Sequence, residues 1–352
     1  QWYKDKHGKE LKVEWRDVGG GGSKIVDHLM NLYGQADTSG IDIVWGGGDY
    51  YFKKMAKADI LQPKELPEEY KENVPQDLNG LPLYDEKGGW AGAAMGSFGI
   101  IYNKELVDRI GAEPPKQWDD LADPSYHDAV ALADPTKSSS AAAAYEMIIQ
   151  SGKDWPDGWA RLLNVLSNAK RFYEGASKSA DAVFDEAPVA TCIDFYGTDR
   201  VAKYPDKLVY ISPRGQTAFN ADPIAILKNP PNPEIAKAFV DFVLSEEGQL
   251  LWAVKPGAEG GPQKHALRRP PIRRDIHEKH SGRFTPNILN PYAEGVALEM
   301  DMEMHEVLIG VIKALVKAAA VDNLEEMKAA KKKLIDTGFP ADKVAEFNAL
   351  PD

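Results

Sequence analysis

Residues 11–17 alternate apolar and polar side chains, the two-residue period of a half-buried strand. Gly19, Gly20, Gly21 and Gly22 end that pattern, and Ser23 stands where a helix running to about Gly34 would take its amino-terminal cap. Residues 41–45 read as a second, more buried strand, stopped by Gly46, Gly47 and Gly48 and followed by a helix over 49–58. Repetition of strand, glycine turn and helix predicts βαβ units and a mainly parallel sheet, whose ligands gather in loops at the carboxyl ends of strands.

A proline- and glutamate-rich surface stretch, 63–82, leads to two strands, 89–95 and 98–103. A second α/β series follows, with strand 129–133, helices 139–150 and 155–166, strand 171–173, helix 177–186 and strand 189–194. Strand 208–212 closes this block, and 222–227 reads as the chain returning to the first sheet. The pattern predicts two lobes crossed twice, with residues 1–96 and 222–352 in lobe 1 and residues 97–221 in lobe 2. Beyond Pro233 the chain is almost wholly helical, most clearly over 233–244, 245–253, 301–320 and 324–337.

At 352 residues, 43% hydrophobic and 27% charged, the chain has the composition of a globular protein long enough for two cores. Its 54 acidic and 42 basic side chains leave a net charge of −12, which repels a polyanionic backbone, so nucleic acid is not an expected partner. A single cysteine, Cys192, excludes an internal disulfide and a cysteine-rich zinc site. No signal peptide is recognisable at Gln1, so location is not legible from a leader.

Several segments taken together resemble the extracellular solute-binding proteins of ABC transporters, in the branch of ferric-iron, thiamine, phosphonate and sugar-phosphate binders. They are Asp42-Ile-Val-Trp-Gly-Gly-Gly48 with Ile60-Leu-Gln-Pro63, Gly99-Ile-Ile-Tyr-Asn-Lys104, Trp118-Asp-Asp-Leu-Ala-Asp-Pro124, Asp134-Pro-Thr-Lys-Ser-Ser-Ser140 and Phe242-Val-Leu-Ser-Glu-Glu-Gly-Gln249. The resemblance implies a type II periplasmic-binding-protein fold of two α/β lobes, two hinge strands and a helical carboxyl-terminal extension on the first lobe. It also implies a monomeric receptor that hands its solute to a membrane permease, in a periplasmic or extracellular setting with a lipid anchor left open. Members begin with a strand and a long helix, of which residues 1–8 resemble only the tail. Iron binders of the branch carry two adjacent tyrosines in the second lobe, where this chain has Asp194-Phe195-Tyr196 and so lacks one phenolate.

Candidate ligand contacts sit at helix starts, where unpaired N–H groups and the positive dipole end suit an anion. In the second lobe these are Thr136, Ser138, Ser139 and Ser140, then Ser177 and Lys178, then Asp194 and Tyr196 after a strand end. The first lobe offers Gly20, Gly21 and Ser23, and the loop Gly46, Gly47, Gly48 and Asp49. Ser97 lies at the crossing between lobes, and Arg214, before the return strand, could pair with a carboxylate or phosphate. Each has a plainer reading as a cap, a turn or a solvated surface group.

His277 and His280 lack the spacing of a zinc protease, and Met300, Met302, Met304 and His305 read as a helix entry more readily than as a soft-metal site. No nucleophile or acid–base pair is recognisable. The expected function is capture of a small anionic, phosphorylated or phosphonate solute by hinge closure, without a cofactor. Ferric iron as cargo is the alternative ligand, and the other classes left open are an enzyme on the same scaffold and a partner-binding module using the helical tail from Asp301.

Overall fold

The computed structural model describes residues 2–18 and 22–338. Lobe 1 is built on a four-stranded sheet of β1 (Ile43–Trp45), β2 (Leu61–Gln62), β5 (Ala91–Gly96) and β11 (Asn220–Leu227), beside a hairpin of β3 (Asp77–Leu78) and β4 (Leu81–Pro82). β11 pairs antiparallel with β1, β2 and β5. Lobe 2 holds a five-stranded sheet in the order β10 (Leu208–Ile211), β6 (Phe98–Asn103), β9 (Val189–Ile193), β7 (Val130–Ala133), β8 (Ala169–Tyr173). Only β7, β8 and β9 run parallel. The lobe 1 ladders are therefore antiparallel and the lobe 2 sheet mixed, rather than mainly parallel, because the strands that enter and leave through the hinge run against their neighbours.

Helices α1 (Trp2–His7), α2 (Gly22–Tyr33), α3 (Asp49–Lys57), α4 (Glu68–Asn73), α10 (Pro233–Leu244), α11 (Glu246–Ala253) and α12 (Arg274–His280) belong to lobe 1. Lobe 2 carries α5 (Lys104–Arg109), α6 (Ser139–Gln150), α7 (Trp155–Ser167), α8 (Ala176–Asp181) and α9 (Asp194–Lys203). Its core packs Trp118, Val130, Leu132, Tyr145, Ile148 and Leu162, all fully buried.

The helical tail buries its apolar face in the second lobe, rather than extending the first, and touches lobe 1 at its edge. α13 (Met302–Val316) inserts Leu308, Ile309, Ile312 and Val316 into the lobe 2 core. α14 (Leu324–Asp336) follows, where Lys331 Nζ donates to Ala122 O at 3.3 Å and Asn164 Oδ1 at 3.0 Å. The apolar stripe of α13 needed a cover, and the open face of α6 supplied it. The chain consequently passes between the lobes a third time, where Leu298 N donates to Thr217 O at 2.8 Å and Met300 N to Asn79 O at 2.9 Å.

Residues 11–17, which the alternation predicts as a strand, form neither helix nor strand, join no ladder and leave Val13 and Trp15 exposed. A groove of about 590 Å³ separates them from the free edge of β1. Alternation registers which faces differ, whereas a ladder requires a neighbour within hydrogen-bonding reach.

Candidate functional site

Because β7, β8 and β9 are parallel, their carboxyl ends share one edge of the lobe 2 sheet. Three of the predicted groups are delivered there: Thr136 to Ser140 after β7, Ser177 and Lys178 after β8, and Asp194 to Tyr196 after β9. Gly46, Gly47 and Gly48 follow the carboxyl end of β1 in lobe 1.

The glycine loop depends on its composition. Gly46, Gly47 and Gly48 have φ of 85°, 106° and 88°, a region L residues avoid, and a Cβ on Gly47 would lie 3.0 Å from Gly22 Cα. Two of its amides are already engaged: Gly46 N donates to Pro223 O at 2.8 Å and Gly47 N to Asp222 Oδ1 at 3.1 Å. The other oxygen of Asp222 accepts from Arg269 Nη1 at 2.5 Å. The Arg269 guanidinium lies 4.6 Å from the Phe195 ring centre in lobe 2 and 5.7 Å from that of Trp252 in lobe 1. Arg269 Nε and Trp252 Nε1 are buried with no hydrogen-bond partner among the described residues. One cation thus joins the glycine loop of lobe 1, through Asp222, to the start of α9 in lobe 2.

Sequence reasoning missed Arg269, Asp222 and Trp252. Arg269 lies in an irregular stretch with no periodicity to mark it, 47 residues from its carboxylate. The visible signal was the run Arg268-Arg269-Pro270-Pro271, a double cation in front of prolines that hold the backbone extended.

Ser97 and Asp194, two separate candidates in the sequence, meet in the fold and satisfy each other. Asp194 Oδ2 accepts from Ser97 N at 2.9 Å and Ser97 Oγ at 3.2 Å, while Asp194 Oδ1 accepts from Phe195 N at 2.7 Å. Burial pushes the Asp194 carboxyl up to about 6, with the Arg269 charge and the Ser97 bonds opposing. A raised carboxyl keeps more protons in the native state, so its contribution to stability falls as pH rises from about 4 to about 6 and is level above. Asp194→Asn should flatten that part of the stability curve, measured as chemical denaturation midpoints across this range.

The serine cluster is built by its own turn. Asp134 Oδ1 accepts from Thr136 N at 2.9 Å and Thr136 Oγ1 at 2.6 Å, and Ser138 Oγ accepts from Ala141 N at 3.2 Å as the cap of α6. Thr136 is exposed, and Ser139 and Ser140 are half-buried in the first turn, where amides lack intrahelical acceptors. Ser138→Ala should cost about 1 kcal/mol in unfolding free energy, read from denaturant titration.

The remaining candidates take structural or solvated positions. Ser177 O and Oγ accept from Arg200 Nη2 at 3.1 and 3.0 Å, and Arg200 is anchored by Asp181 at 2.6 Å. Lys178 is exposed and pairs with Glu174 at 3.2 Å. Tyr196 is half-buried, its ring 5.4 Å from the Arg200 guanidinium and 4.5 Å from Phe195. Arg214 is exposed on the turn before β11, Ser23 is exposed in α2, and Asp49 is buried at the start of α3. Gly20 and Gly21 lie outside the described residues.

His280 Nε2 is 2.8 Å from Glu246 Oε1, and His277 Nε2 is 2.8 Å from Pro271 O. Glu69, Glu246 and Asp275 approach one another nearby, but Arg273 pairs with both Glu69 and Asp275, and Lys279 with Asp275. Their charge is met by side-chain cations. Burial pushes the Cys192 thiol up to about 12, which leaves it protonated and unsuited to nucleophilic chemistry.

Two α/β lobes linked through a hinge, with polar loops and one shared cation facing across it, are the architecture of a type II periplasmic binding protein. Residues 39–259 match the family described as bacterial extracellular solute-binding protein, and the chain belongs to that family. It is 27% identical over 195 residues to the phosphoglycerate transport regulatory protein PgtC of Salmonella typhimurium, covering 51% of this chain and 47% of that protein. An uncharacterized protein of Haemophilus influenzae is 30% identical over 162 residues, covering 45% and 46%. The chain thus spans about half the length of the curated relatives it matches.

Among solved structures, the periplasmic binding protein AfuA of Actinobacillus pleuropneumoniae, with fructose-6-phosphate bound, superposes with a TM-score of 0.66 at 18% identity, covering 95% of this chain and 92% of AfuA. Apo ferric ion-binding protein A of Pasteurella haemolytica gives 0.65 at 16%, covering 92% and 93%. The family and these neighbours are binding proteins rather than enzymes, and the family is extracellular. No helix among the described residues is long and apolar enough to cross a membrane.

Proposed function

We propose that this protein is the solute receptor of an ABC importer and that its ligand is a small phosphorylated organic anion held between the lobes. The observation that carries this reading is Arg269, whose guanidinium lies 4.6 Å from the Phe195 ring of lobe 2 and whose buried Nε has no hydrogen-bond partner among the described residues. A cation at this place favours an anion and opposes a trivalent metal ion. Phe195 also offers no ligand atom to iron. The first-turn amides of α6, beside Ser139 and Ser140, supply directed donors that a phosphoryl group accepts without net positive charge on the protein.

Asp222 gives the ligand a polarity. A carboxylate beside Arg269 accepts hydrogen bonds from hydroxyl groups and repels a second phosphoryl group, so the organic end of the solute faces lobe 1 and its phosphoryl end faces α6. The phosphoglycerate and fructose-6-phosphate named for PgtC and AfuA both have this division. The protein acts as a monomer in the periplasm, releases its solute to a membrane permease and catalyses no reaction.

A thermal-shift series with 3-phosphoglycerate, fructose 6-phosphate, inorganic phosphate and ferric citrate tests the reading. An organic phosphate should raise the melting temperature by several degrees, since saturation at about 100 times Kd adds about 2.7 kcal/mol. A rise with ferric citrate alone would overturn it.

A further inference from the structure

α13 lies against both lobes, and its buried histidine stands among acidic groups from each. His305 Nδ1 is 2.8 Å from Glu146 Oε1 on α6 of lobe 2, and both side chains are buried. His305 Nε2 is buried and has no hydrogen-bond partner among the described residues. On lobe 1, Asp49 at the start of α3 is also buried, with Oδ2 lacking a hydrogen bond and Lys53 Nζ 3.5 Å away. Lys313, two turns further along α13, donates to the Tyr51 hydroxyl of α3 at 3.3 Å, so the helix touches lobe 1 beyond this one point.

The charged groups that face the imidazole are Glu146 from α6 and Asp49 and Lys53 from α3. Burial alone would pull the His305 pKa down, but the Glu146 hydrogen bond and the charges of Glu146 and Asp49 outweigh burial and Lys53, so the net direction is up. Asp49 directly follows Gly48, so it neighbours the glycine loop after β1.

We propose that His305 is a positioning residue for lobe closure: as an imidazolium it ties Glu146 of lobe 2 to Asp49 of lobe 1, and as a neutral imidazole it releases lobe 1. The inference rests on the hinged mechanism, not on the identity of the solute. Protonation favours the closed arrangement, which is fully supported at low pH and lost as pH rises through the His305 pKa.

Small-angle scattering of the full chain without added solute tests this separately from any binding assay. The radius of gyration should be larger at about pH 8 than at about pH 5.5, with a midpoint that coincides with the His305 titration followed by imidazole NMR. His305→Gln should have the same radius at both values. Glu146→Gln should move the midpoint to lower pH, and it carries the test if the first variant does not fold. Asp194→Asn, which removes a buried carboxyl titrating near this range, should keep the change. An unchanged radius in the parent protein, a pH response that survives His305→Gln, or a midpoint indifferent to Glu146→Gln would each overturn the proposal.

Discussion

Arg269→Ala is expected to weaken solute capture by roughly thirtyfold to several thousandfold. The substitution removes the cation shared by Asp222 and Phe195 and leaves Asp222 with a charge unpaired except through Gly47 N. Truncating one partner of a desolvated charge pair costs about 2–5 kcal/mol, or roughly thirtyfold to several thousandfold in affinity. Calorimetric titration with an organic phosphate reads the loss directly. Arg269→Lys separates charge from shape: an ammonium keeps the attraction to Asp222 but not the flat stacking on Phe195, so part of the affinity should return. Full affinity in Arg269→Ala would remove this residue from the site.

The second large effect concerns stability. Ile312→Ala should destabilise lobe 2 by about 3 kcal/mol, within the range for emptying a fully buried aliphatic position. Ending the chain before Met302 should do far more, because Leu308, Ile309, Ile312 and Val316 leave the core together. Amide hydrogen exchange locates the damage. Protection should fall in β7 and α6 of lobe 2 and persist in β11 of lobe 1, whereas a tail docked on lobe 1 would give the opposite distribution.

Local pattern made most elements legible. Apolar runs predicted β1, β6, β7 and β9 within a residue or two, and the helical periods of α3, α6, α10 and α13 were equally clear. These signals depend on neighbours in the chain, and the physics that fixes them is local. Partners were harder to read. The direction of β11 depends on where the chain re-enters lobe 1, and the docking of α13 depends on an open face of α6 more than 150 residues earlier in the chain.

The site shows the same division. The helix start after β7 and the glycine loop after β1 were recognisable, since caps and positive φ leave a residue signature, and the end of β9 was read as a strand end without the helix that follows it. Whether a cap is free to hold ligand was not, because Arg200 occupies Ser177 and Asp194 occupies Ser97 through contacts across the fold. Arg269 carried no periodic mark, and its role exists only once Asp222 and Phe195 have been brought to it.

Scattering with and without 3-phosphoglycerate or fructose 6-phosphate, at a pH held below the His305 transition, tests the central claim that the two lobes close on a phosphorylated solute. Ligand just sufficient to saturate the parent protein should shrink its radius of gyration and contract Arg269→Ala far less. An unchanged radius with both organic phosphates, under conditions where ferric citrate contracts the protein, would contradict the account.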